Sequence, residues 1–133
     1  MEQPSPARLY AALLGAALVA FGILGFFYSA SFGSPGDVSD VFGVFAVNGW
    51  ENVFSILLGV TGVLVAGFAS RAYALWVGGL LIAVAAYGFV VGNGGAILGF
   101  LPANTADDLL RVALGGLGLA AALASPSRRA ATT

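Results

Sequence analysis

The sequence predicts an all-α fold, an integral membrane four-helix bundle built from two tandem helical-hairpin repeats. Three observations carry this. First, the 133 residues are 59% hydrophobic and 8% charged, with a mean hydropathy of +0.98. A soluble domain carries about 25% charged residues, so lipid must cover most of this exterior. Second, four apolar stretches approach the roughly 20 residues needed to cross a bilayer. Third, the first half of the chain is echoed in the second.

The first span covers residues 9–28. Arg8 ahead of it and "YSAS" behind it imitate a secretory signal. Its apolar run exceeds the roughly 7–15 residues of such signals, so it reads as a retained helix. The second span covers about 50–69 and the third about 72–91, with Ser70 and Arg71 as a tight hairpin between them. The fourth, about 106–124, is interrupted near its start by Asp107, Asp108 and Arg111. All four form a single domain, residues 1–133, with repeat one over about 8–70 and repeat two over about 71–125.

Charge sets the expected direction. Arg8, Arg71, Arg128 and Arg129 fall at the N-terminus, the short hairpin and the C-terminus. Asp37, Asp40, Glu51, Asp107 and Asp108 all fall at the opposite end. The positive-inside rule then places both termini in the cytoplasm of a multi-pass cell-membrane protein. Arg111 is the exception.

The connections at the acidic end are not ordinary polar loops. "SPGDVSDVFGVFAVNGW" starts with turn residues and continues with Val38, Val41, Phe42, Val44 and Phe45, which predicts a short interfacial helix from near Asp37. "GNGGAILGFLPANT" mixes glycine with Ile97, Leu98, Phe100 and Leu101. Both are expected to fold onto the bundle as caps. Trp50 and Tyr28 at the outer end, with Tyr10, Tyr73 and Trp76 at the inner one, match aromatic belts.

The internal echo is specific. "RLYAALLGAALVAFGILGF" (8–26) over "RAYALWVGGLLIAVAAYGF" (71–89) gives eight identities in nineteen positions, among them Arg8/Arg71, Tyr10/Tyr73, Gly15/Gly78 and Gly25/Gly88. "GVFAVNGWENVFSILLGVTG" (43–62) lies over "GFLPANTADDLLRVALGGLG" (99–118), pairing Asn48/Asn104, Glu51/Asp107, Gly59/Gly115 and Gly62/Gly118. Two units crossing in the same direction form a parallel repeat about an axis along the membrane normal. Chance similarity between apolar helices is the alternative.

In each unit the second helix opens with Asn-x-x-(Glu/Asp)-(Asn/Asp). Asparagine caps helices, and an acidic residue three places on can return a bond to the cap's amide. Asn48, Glu51, Asn104 and Asp107 are explained without any activity. Arg111 opposes the helix dipole and sits about 6 Å along the axis from Asp107, shallow enough to snorkel outward. A local cluster with Asp107 and Asp108 is the default reading, and a contact with Glu51 of the other unit the sharper one. Glycines within the spans, such as Gly15 and Gly78, permit close helix packing.

These features exclude much. A net charge of −1 without lysine offers no face for nucleic acid. With no cysteine or histidine, thiolate chemistry and the usual general base and metal ligand are missing. No catalytic residue, cofactor or metal is expected; an enzyme would have to rely on Glu51, Asp107, Asp108 and Arg111 alone. The leading expectation is a non-catalytic accessory or scaffold subunit. Its partners would be the lipid bilayer and either further copies or a larger membrane complex. The alternative is a transporter-like, channel-like or lipophilic-ligand-binding protein acting as an oligomer. Against transport, no ionisable residue lies at mid-span.

"VNGWENVFSILLGVTGV", "LPANTADDLLRVALGGLGL" and the "ASRAY" hairpin resemble domain-of-unknown-function family 4383. The resemblance runs from about Arg8 to Leu123 and implies a small four-helix membrane protein of a GC-rich bacterium. In the family pattern a histidine commonly follows the Asn/Asp element in each unit. This chain carries Ser55 and Arg111 there, so no histidine-based metal or proton role carries over. No activity is established for the family.

Overall fold

The computed structural model describes residues 5–126. Arg128 and Arg129, which contribute to the expected orientation, lie outside them. Four helices dominate: α1 (Pro6–Phe26), α2 (Gly49–Val65), α3 (Ser70–Val91) and α4 (Thr105–Leu123). Helices α1 and α3 are long and apolar enough to cross a membrane. Helix α2 is apolar but has 17 residues, and the 19 residues of α4 begin with charged groups.

Local chemistry sets the helix ends. Ser5 caps α1, its hydroxyl accepting from the Arg8 amide at 3.1 Å, with Pro6 in the first helical turn. Proline's fixed φ suits that place and its missing N–H costs nothing there. Asn48 and Asn104 cap α2 and α4. The expected linker of Ser70 and Arg71 instead forms the first turn of α3, and residues 66–69 make the connection. Gly67 falls within that link, where its poor helix propensity helps end α2.

Helix α1 packs along α2, and α3 along α4. A methyl group on Gly15 would stand 2.7 Å from the Gly59 carbonyl oxygen, and one on Gly78 2.8 Å from that of Gly115. Both backbones therefore approach as closely as only glycine permits. The buried positions of α1 (Ala7, Ala11, Leu14, Gly15, Gly22, Gly25) recur 63 residues later in α3 as Ser70, Ala74, Val77, Gly78, Ala85 and Gly88. Dispersion between closely set helices is what such small residues permit.

The two helix pairs are tied across the middle by tyrosines. Tyr10 donates its hydroxyl to the Leu114 carbonyl and Tyr73 to that of Leu58, both at 2.8 Å. Each ring lies over a glycine of the opposite pair, Gly118 and Gly62 respectively. This corrects the aromatic-belt expectation for Tyr10 and Tyr73: a phenol next to a glycine notch finds a buried carbonyl acceptor. Tyr73 is buried, whereas Trp76 is exposed. Leu14, Val77 and Leu81 complete the central core with Ala11. At the arginine end, Arg71 donates from Nε to the Ala122 carbonyl at 3.1 Å, and Ser125 accepts the Ala7 amide at 2.9 Å. A cation there also suits the negative end of α4's dipole.

The acidic end departs from an all-α fold. No interfacial helix starts near Asp37. The segment forms a hairpin, β1 (Ser39–Val41) paired antiparallel with β2 (Phe45–Val47), and the second connection pairs β3 (Ala96–Ile97) with β4 (Leu101–Pro102). Two adjacent positive-φ residues make each turn, Phe42 and Gly43 in one and Leu98 and Gly99 in the other. That is the geometry whose twist matches paired strands. Val41, Val47, Ile97 and Leu101 of the strands are themselves buried, so both connections do cover the helix ends.

The glycine contacts make a prediction. Gly59→Ala and Gly78→Ala should each lower stability against unfolding in detergent by roughly 1–3 kcal/mol, the cost of overpacking. Gly79→Ala and Gly116→Ala, where a methyl meets nothing within 4 Å, should be neutral or stabilising by up to about 1 kcal/mol. Equal losses at all four would refute the packing account.

Candidate functional site

Two asparagines build the frame of the site. Asn48 accepts the Glu51 amide at 2.9 Å on Oδ1 while Nδ2 donates to the carbonyls of Pro35 and Phe100, each at 2.7 Å. Asn104 accepts the amides of Ala106 and Asp107 at 2.7 and 3.2 Å and donates to the Val44 carbonyl at 3.2 Å. Each cap therefore reaches the turn of the other hairpin. Helix capping and cross-linking of the two halves are done by the same side chains. Trp50 reinforces the cover, ring to ring with Phe32 at 4.9 Å and Phe100 at 5.7 Å.

Within that frame lies a buried ionic group. Arg111 donates from Nη2 to Glu51 Oε2 at 2.8 Å and from Nη1 to Asp108 Oδ1 at 3.1 Å. The exposures are 5% for Arg111, 7% for Glu51 and 1% for Asp108, so all three are withdrawn from solvent. Arg111 does not snorkel outward. Its planar fork takes one carboxylate from its own helix and one from α2, an arrangement for which guanidinium is suited. Glu51 gives its carboxylate to Arg111 rather than returning it to the Asn48 amide as a capping box would.

Asp107 stands apart from the expected local cluster. Among the described residues Arg111 forms ion pairs with Glu51 and Asp108 only. Each terminal nitrogen of the fork thus faces a carboxylate other than Asp107. Asp107 is 6% exposed, and its Oδ2 has no hydrogen-bond partner among the described residues. It lines a partly enclosed cavity of about 250 Å³ between α1, α2 and α4, together with Glu51, Ser55 and Arg111. The remaining walls are apolar, with Leu14, Leu18, Phe21, Phe54 and Leu114 among them.

Of the residues expected from the sequence, Asn48, Glu51, Asn104, Asp107, Asp108 and Arg111, the structure brings Glu51, Asp108 and Arg111 into direct contact. Asn52, the last position of the repeated Asn-x-x-(Glu/Asp)-(Asn/Asp) element, is not among the expected site residues. It is fully buried and donates to the Ser29 carbonyl at 2.8 Å. A signal for it exists: Asn52 aligns with Asp108, and both occupy space opened by a glycine, Gly25 and Gly88 respectively. The apolar wall carries no signal, because leucine and phenylalanine look alike whether they face a cavity or a neighbour. Among the described residues no group of histidines, cysteines or carboxylates is arranged to hold a metal ion.

The chain belongs to the family described as Domain of unknown function (DUF4383), whose model matches residues 8–124. Neither the curated proteins nor the solved structures yield a match.

Removing one partner from a buried ion pair leaves an uncompensated charge. Arg111→Met should therefore destabilise the fold by about 3–5 kcal/mol, read by unfolding in detergent. Glu51→Arg combined with Arg111→Glu, in an Asp108→Asn background, should recover part of the loss caused by either reversal alone. Absence of any recovery would show that the contact between α2 and α4 carries no coupling.

Proposed function

We propose that this family member is a non-catalytic, multi-pass membrane protein made of two tandem hairpin units, which acts as an accessory or scaffold subunit packing against other membrane helices. One observation carries the reading: the outward faces of the helices are apolar. Leu9, Leu13, Leu57, Leu64, Trp76, Val90, Leu117 and Leu123 are all more than 60% exposed. Water would not tolerate such a surface on a monomer, whereas hydrocarbon or another helix would. The matched burial and glycine contacts of the two pairs support descent from a duplicated hairpin. Arg8 and Arg71 at one end and the carboxylates at the other support cytoplasmic termini.

The docking surface falls outside the glycines to which the sequence first points. Gly15 and Gly78 are engaged within the bundle. Gly79 and Gly116, with open space around them, lie exposed beside Ala83 and Ala113 and would admit a neighbouring helix at close range. Catalysis is disfavoured because most polar groups of the site are engaged in capping and ion pairing, the Asp107 and Asn52 oxygens and Ser55 standing outside that network.

A second reading, binding of a lipophilic molecule, is favoured by the cavity beside Asp107. A dry apolar cavity of about 150 Å³ can hold benzene, and this one is larger.

Two measurements test the leading reading. The chain has no cysteine, so single-cysteine variants report cleanly: a membrane-impermeant maleimide on intact cells should label Asp37→Cys and spare Phe68→Cys. The reverse pattern would invert the orientation, and labelling of both would end the four-span topology. Separately, Gly79→Leu and Gly116→Leu should release partner proteins or further copies that co-purify with the native chain in mild detergent, without lowering its own thermal stability. Unchanged association would remove these glycines from the interface.

A further inference from the structure

The cavity beside Asp107 has a chemistry more specific than apolar space, and the ligand class it selects rests on the ligand-binding reading. Its wall is hydrocarbon from α1, α2 and α4, with Leu81 from α3. Its polar end holds Glu51, Asp107, Arg111 and Ser55. Asp107 is only 6% exposed, yet its Oδ2 lacks a donor among the described residues. A buried acceptor left without a donor is unfavourable, and a ligand that supplies one removes that penalty.

The charges decide which donor. Three carboxyl groups, those of Glu51, Asp107 and Asp108, lie around one guanidinium, whose charge is already paired with two of them. An anionic headgroup would find no free cation and would be repelled. A hydrated metal ion needs several oxygen ligands, but the wall opposite Asp107 is hydrocarbon. A neutral hydroxyl would satisfy Oδ2, but only a cation would also hold Asp107 in its charged form beside two other carboxyl groups. The positive end of the α4 dipole opposes a cation here, but its partial charge is smaller than the full charge of the Asp107 carboxylate that an ammonium would face. In a site shielded from water these Coulomb differences are enlarged.

The geometry points to a binding site for a small lipophilic amine: a protonated amino group donating to Asp107, and an apolar body of about one substituted ring lying among Leu14, Leu18, Phe21 and Phe54. A carboxylate in a pocket with few polar groups fixes orientation, and the apolar walls supply most of the contact, the usual division of labour in small-molecule sites. No covalent step is involved.

The test uses the full chain in nanodiscs of zwitterionic lipid, with titration heats of empty nanodiscs subtracted. The probes are phenethylamine, phenethyl alcohol and ethylbenzene, which share a ring and differ in the donor. Phenethylamine should bind at least tenfold more tightly than the alcohol. Asp107→Asn should abolish that preference while leaving the weaker binding of the other two unchanged. Ala17→Phe, which fills the cavity from α1 and leaves the carboxylates in place, should weaken all three. Equal binding of the three probes, or a preference for the amine that survives Asp107→Asn, would overturn the amine site and leave the cavity reading standing. No saturable binding of any probe would overturn both.

Discussion

A guanidinium buried between helices must be matched by carboxylates, and that requirement organises the acidic end of this molecule. Arg111 on α4 can be withdrawn from solvent only because Asp108 stands one turn before it and Glu51 faces it from α2. Stripping the hydration from such a group costs several kcal/mol, roughly recovered when geometry and hydrogen bonding are good. The net gain in stability is therefore modest. What the arrangement fixes is register: α2 and α4 cannot slide or rotate against each other without exposing an uncompensated charge.

Everything at that end of the bundle serves to hold the group in place. The asparagine caps fix the first turns of α2 and α4 and simultaneously grip the opposite hairpin. The ring of Phe32, from the first connection, and that of Phe100 close over Trp50. Further in, the tyrosine hydroxyls bind carbonyls of the opposite pair, and the glycine contacts let each pair close tightly enough for those bonds to form. Polar bonds specify which helix lies where, and small residues permit the approach. Neither would suffice alone.

The two halves agree in their scaffold and differ at the site. Gly15 with Gly59 matches Gly78 with Gly115, and the tyrosine bonds match likewise. At the polar end Asn52 stands where the other half has Asp108, and Ser55 where it has Arg111. The second half thus supplies Arg111 and Asp108, and the first supplies Glu51. Glu51 and Asp107 occupy matching positions, yet Glu51 meets Arg111 whereas Asp107 is left with an unpartnered oxygen at the apolar cavity.

The positions of the four helices, the glycine contacts and the capping asparagines were legible in the sequence because each rests on local or periodic signals. Apolar length, small residues at helical spacing and a capping side chain before an apolar run all act over a few residues. The hairpins were not legible. Phe-Gly and Leu-Gly are weak versions of the usual Asn-Gly or Asp-Gly turn, and the apolar residues around them fit an interfacial helix equally well. The destination of the charges was also hidden. Asp107 and Asp108 are neighbours on the same turn, equally spaced by sequence to meet Arg111, yet only Asp108 does. The other arm of the guanidinium meets Glu51 arriving from α2, a contact 60 residues distant. Sequence alone determined which helices form and which groups needed partners. The tertiary structure decided who those partners are, because a charge removed from water answers to whatever the fold places within a few ångströms of it.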